Sequence, residues 1–124
     1  MWKGAIFSSI ILLLLDSVYL TLIGKAYSQQ IFNIQKLPMK VNFRGALLSY
    51  FFLIIGLNYF IISKNKSVLD AGILGTVIYG VYDATSYAVL KDWDETLAIL
   101  DTLWGGVLFA STTAITKFWL RLIK

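Results

Sequence analysis

The feature that most constrains this chain is the spacing of its charges. Gly4–Gly24, Gly45–Ile62, Ala71–Leu90 and Thr96–Thr116 each run 18–21 residues with no basic residue and at most one acid. A helix needs about 20 residues to cross a hydrocarbon core of about 30 Å. Peptide groups there find no water, so the chain must satisfy them itself, in helices or in a closed barrel. A barrel strand would show polar and apolar residues alternating over about 10 positions, and these runs do not alternate. The sequence therefore predicts an all-α fold, a four-helix transmembrane bundle. It is read as a single integral membrane domain over residues 1–124, with helices at about 4–24, 45–62, 70–90 and 96–118.

Composition excludes the competing classes. Apolar residues make up 58% of the chain and charged residues 15%, against about 45–50% and 25% in soluble domains. A 14.0 kDa sphere has too little interior to hide that surface. A soluble enzyme, a disordered chain and a nucleic-acid module are all disfavoured. With no Cys and no His, the chain has no disulfide framework, thiolate nucleophile, iron–sulfur site or imidazole ligand. No cofactor, no metal and no nucleic-acid partner is expected. The net charge of +4 is spread between the apolar runs, where it serves lipid headgroups and insertion topology.

The connections differ in kind. Residues 25–44 form the longest and hold the only proline, Pro38. Ile31, Phe32, Ile34 and Leu37 would suit either a short interfacial helix or an ordered loop. Ser63–Asp70 is a short turn with Lys64 and Lys66, and Lys91–Glu95 is acidic and carries Trp93. Short links make successive helices antiparallel neighbours. Lys3 and Gly24-Lys25-Ala26 loosely imitate a signal peptide, but the run is long for one and contains Asp16, so an uncleaved first helix is expected. The termini side carries Lys3, Lys64, Lys66, Lys117, Arg121 and Lys124, and the other side Lys25, Lys36, Lys40, Arg44 and Lys91. That narrow margin tips the positive-inside rule towards cytoplasmic termini in a multi-pass membrane protein.

Three carboxylates, Asp16, Asp83 and Asp101, lie inside the runs. An Asp at mid-helix costs about 2.5–3.5 kcal/mol to insert, and three facing lipid would cost about 8–10 kcal/mol. No Lys or Arg within the runs offsets them. They are protonated, face a wet interior or hold a cation. At about 1.5 Å per residue, all three fall in the half of the membrane nearer the first and third loops. Tyr19, Tyr79 and Trp104 sit three or four residues from these acids, on the same helical faces. With Tyr82 beside Asp83, they outline an acid-lined pocket for an ion or small molecule. The plainer alternative is that these groups only fasten helices together.

Small residues recur every four positions at Thr76, Gly80, Ala84 and Ala88, and at Thr102, Gly106, Ala110 and Ala114. Such ridges let backbones approach closely. Gly80, Ala84, Gly106 and Ala110 are the expected packing positions of an antiparallel pair, and the same ridges would equally serve a homo-oligomer. Asp16-Ser17-Val18-Tyr19 and Asp101-Thr102-Leu103-Trp104 share an Asp-hydroxyl-x-aromatic form on oppositely directed helices, the pattern an inverted repeat would leave.

The segments Tyr79-Gly80-Val81-Tyr82-Asp83-Ala84-Thr85-Ser86, Leu90-Lys91-Asp92-Trp93 and Asp101-Thr102-Leu103-Trp104-Gly105 together resemble a family of small four-span bacterial membrane proteins, domain of unknown function 2177. The resemblance implies a Leu-Asp-x-x-aromatic start in helix one, met by Leu15, Asp16 and Tyr19 with Tyr where Trp is usual. Ser86 stands where Asn is more usual, and Asp94 where Pro tends to follow the Trp. The resemblance covers nearly the whole chain and implies the fold and the aspartates, but no activity.

Three functions remain open on the sequence. The first is a small transport or permeation protein for protons, cations or a small polar solute. The second is an intramembrane lipid-modifying enzyme using paired carboxylates, as metal ligands or as acid and base. The third is a structural or assembly subunit. No phosphate-cradling loop, dinucleotide fingerprint or nucleophile elbow is present.

Overall fold

The computed structural model describes residues 2–123, and Lys124 of the termini-side charge count lies outside them. Within them the chain forms four helices and no strand: α1 (Trp2–Gln35), α2 (Phe43–Leu57), α3 (Val68–Val89) and α4 (Glu95–Leu122). The last turn after α2, Asn58–Ile62, is π-helical, with Ser63 N–H donating to the Asn58 carbonyl at 2.8 Å.

Side-chain caps set three of the helix starts. Asn42 accepts from Gly45 N–H, Ser67 from Asp70 N–H and Asp94 from Leu97 N–H, each satisfying a first-turn donor. Each link contains one residue in the left-handed region, Lys36 (φ 62°), Asn65 (φ 51°) and Asp92 (φ 65°), where the chain turns back.

Helix α1 is longer than its apolar run. The sequence ends it near Gly24; the structure carries it to Gln35, 34 residues in all, or about 51 Å at 1.5 Å per residue. Neither a loop nor a separate interfacial helix occupies 25–35. Polar residues such as Ser28, Gln29 and Gln30 remove hydropathy but do not break a helix. The stop comes at Lys36, where Gln35 Nε2 turns to the carbonyls of Leu37 and Pro38.

Helix α4 is the centre of the bundle, packed on one side against α3 and on another against α1. Contacts fix an antiparallel register between α1 and α4, with Gly4 near Leu120, Asp16 beside Trp104 and Tyr19 beside Asp101. Helix α2 leans on α1 and turns Leu47, Leu48, Phe51, Phe52 and Ile55 outward, as a lipid-facing helix does. The core is a layer of Leu12, Leu57, Ile61, Ala71, Leu108 and Phe109.

Along α3 and α4 the closest approach runs through glycines. A Cβ on Gly75 would strike the Gly105 carbonyl and lie 2.8 Å from Phe109 Cβ. A Cβ on Gly105 would strike the Tyr79 ring, and one on Gly106 the Thr76 hydroxyl. A Cβ on Gly72 would lie 3.6 Å from Ala110 Cβ. Gly80 is more peripheral, its nearest neighbour Thr102 Cγ2 at 3.4 Å from an added Cβ, and Ala84 is exposed.

Among the described residues three helices, Lys3–Gln35, the Phe43–Ile62 segment and Glu95–Leu122, are long and apolar enough to cross a membrane. At 22 residues α3 has the length, but Asp70, Asp83 and three tyrosines lower its hydropathy.

Candidate functional site

The helix pairings bring Asp16, Asp83 and Asp101 into one network. Asp16, 5% exposed, accepts from Trp104 Nε1 at 3.0 Å with one oxygen and from the Tyr50 hydroxyl with the other. The Trp104 indole stacks on Tyr19, centroids 4.8 Å apart and planes 4° from parallel. Tyr19 in turn donates to Asp101 Oδ1 at 3.0 Å. Asp101 lies beside Asp83 across the α3–α4 interface, and Thr102 reaches Asp83 at a long 3.5 Å. Tyr19 is the hub: its hydroxyl holds one acid while its ring packs on the donor to another.

The other expected site residues lie around this network. Tyr79 packs its ring over Gly105, and only a residue without a Cβ at 105 admits it. Tyr82 is half exposed at the rim, where its hydroxyl meets that of Tyr27 at 2.7 Å and its ring stands edge-on to Trp93.

Asp83 and Asp101 open onto a small cavity of about 10 Å³, lined also by Tyr19, Tyr27, Gln30 and Trp93. Nothing in the sequence marks Gln30, Trp93 or Tyr27 as site residues. Gln30 reaches the cavity only because α1 continues past Gly24, and Trp93 because the third link folds back over the bundle end. Gln30 Oε1 accepts from Asp94 N–H, at the N-cap of α4, which ties the far end of α1 to the start of α4. Tyr50 belongs here too: it holds Asp16 from α2.

A second polar group lies towards the termini end. Ser8 is fully buried and donates to Asn58 Oδ1 at 3.1 Å, at the start of the π-turn. Thr112, Thr113 and Thr116 are fully buried, with hydroxyls lacking partners among the described residues. By register, Ser8 stands level with these threonines. Leu12, Leu108 and Phe109 form an apolar layer between this group and the aspartates.

Among the described residues no three acidic side chains gather closely enough to hold a metal ion. Asp16 has both oxygens engaged, which leaves Asp83 and Asp101 as the only adjacent acids of the network.

Long apolar helices joined by short links, with buried carboxylates paired inside, define an integral membrane protein built as a helical bundle. The family model described as predicted membrane protein (DUF2177) matches residues 2–118, and the chain belongs to that family. No curated protein and no solved structure matches the chain.

Proposed function

We propose that this chain spans the membrane four times and moves a proton, a cation or a small polar solute through its acid-lined site. The observation that carries the reading is the pairing of Asp83 and Asp101 at a cavity inside the bundle. Carboxylates are costly in hydrocarbon and mark ion pathways and proton relays. Helix α3 crosses in this reading because its polar face packs on α4. The three unpartnered threonine hydroxyls would receive cargo beyond the apolar layer, and the layer of Leu12, Leu108 and Phe109 would be the barrier that opens.

One observation favours a second reading, in which the acids fasten helices. Both oxygens of Asp16 are taken by donors from α2 and α4, as a structural link requires. The two readings divide the acids: Asp16 holds the site together, and Asp83 and Asp101 serve the cargo.

The test is purified protein in lipid vesicles, with Asp83→Asn and Asp101→Asn as variants. The transport reading expects flux of a proton, a cation or a polar solute in the parent and its loss in both variants. Unchanged flux in both would overturn it. Reporter fusions at the two termini are expected to report the same side, and opposite sides would remove the four-span arrangement.

A further inference from the structure

We infer that the cavity between Asp83, Asp101, Gln30 and Trp93 is the site of one fixed water, and that the cargo passed through it is a proton rather than a metal or ammonium cation. This rests on the transport reading above and narrows its cargo.

Two donors point the way. Gln30 is 4% exposed and Trp93 6% exposed, and neither Gln30 Nε2 nor Trp93 Nε1 has a hydrogen-bond partner among the described residues. The orientation of the Gln30 amide is fixed, because its oxygen accepts from Asp94 N–H and a flipped amide would set two donors face to face. Trp93 Nε1 lies beside the Asp83 carboxyl but outside hydrogen-bonding geometry. Buried donors are rarely left unpaired, because each costs its full desolvation.

The cavity, at about 10 Å³, has room for about one water. Its lining asks for a particular species: two N–H groups require acceptors, and two carboxyls accept protons. Water alone at this size offers two lone pairs and two hydrogens together. Sodium or ammonium would satisfy the acids but face both N–H groups with like polarity, and an anion would face the acids. A proton moving from Asp101 to the water, with a different proton passing from the water to Asp83, regenerates the water, so the atoms balance without any other reactant. The hydroxyl pair Tyr27–Tyr82 at the rim offers the exit to the membrane surface.

The experiment uses the full chain in lipid vesicles under a pH gradient and, separately, under sodium, potassium or ammonium gradients. The variants are Asp101→Asn, Trp93→Phe and Gln30→Glu, which keeps the acceptor for Asp94 N–H and removes the amide donor. Proton flux well above that of empty vesicles is expected, lost in Asp101→Asn. Trp93→Phe and Gln30→Glu are each expected to lower it about tenfold, as for loss of one buried hydrogen bond. The Trp93 indole N–H of labelled protein in micelles is expected to show magnetisation transfer to a bound water, a signal a merely structural role would not produce. Cation flux that Asp101→Asn abolishes would keep the transport reading and overturn the proton inference. Proton flux unchanged in both cavity variants, or an indole N–H without a water contact, would overturn the fixed water alone. No flux of any kind would overturn both.

Discussion

Neighbouring residues of α4 face two different worlds. Gly105 and Gly106 turn to α3, where backbones meet closely and the Thr76 hydroxyl bonds only its own helix at Gly72, while the polar contacts of that interface, Asp83 with Asp101 and Thr102, lie about a turn away. Trp104 and Asp101 turn to α1, where hydrogen bonds and a stacked ring pair join side chains more than 80 positions apart in sequence. The first face gains stability from close approach, since lipid supplies no hydrophobic drive between helices. The second face places polar groups in hydrocarbon and keeps them only by pairing them. The difference teaches that, in the proposed reading, close packing and the acid site occupy different stretches of one helix surface.

The largest effect is expected at the seam. Gly75→Ala and Gly105→Ala force backbone or a ring out of place and should destabilise by about 3 kcal/mol or more, at the top of the overpacking range. Thermal unfolding in detergent checks this, and stability equal to the parent would show that the helices do not meet at these glycines. Trp104→Phe comes next: it keeps an aromatic ring near Tyr19 but leaves one Asp16 oxygen unpaired, at about 1–3 kcal/mol. A cost below that of Tyr19→Phe, expected at about 0.5–1.5 kcal/mol, would reverse the ranking of the two links. The smallest effect belongs to Gly80→Ala, where the added Cβ meets only Thr102 Cγ2 at an ordinary distance. It should stay within about 0.5 kcal/mol of the parent. A large loss there would shift the seam one turn along α3.

The same contrast explains what could be read from the sequence. Run length, with a lone acid in three of the four runs, carries the four helices and the aspartates, because the bilayer thickness and the cost of a buried charge act on sequence directly. The depth of Asp16, Asp83 and Asp101 follows from rise per residue alone. Helix rotation does not. Gly80 and Ala84 share a ridge with Thr76, yet contact runs through Gly72, Thr76 and Gly75, since small residues permit close approach at several rotations and only the whole packing selects one. The end of α1 was hidden for a different reason. Hydropathy falls at Lys25, while the helix stops only before Pro38, so Tyr27 and Gln30 looked like loop residues and their place at the cavity was invisible. Trp93, in a short acidic link, carries no sign of a cavity role because its burial depends on how the third link folds over α1.

The measurement that bears most directly on the division between the two faces is a paired one on Asp101→Asn: thermal unfolding in detergent and proton flux in vesicles on the same preparation. Asn fills the same space and still accepts from Tyr19, so the unfolding temperature should stay near that of the parent while flux is lost. Flux equal to the parent, or a loss of flux explained entirely by a smaller folded fraction, would contradict a functional role for Asp101.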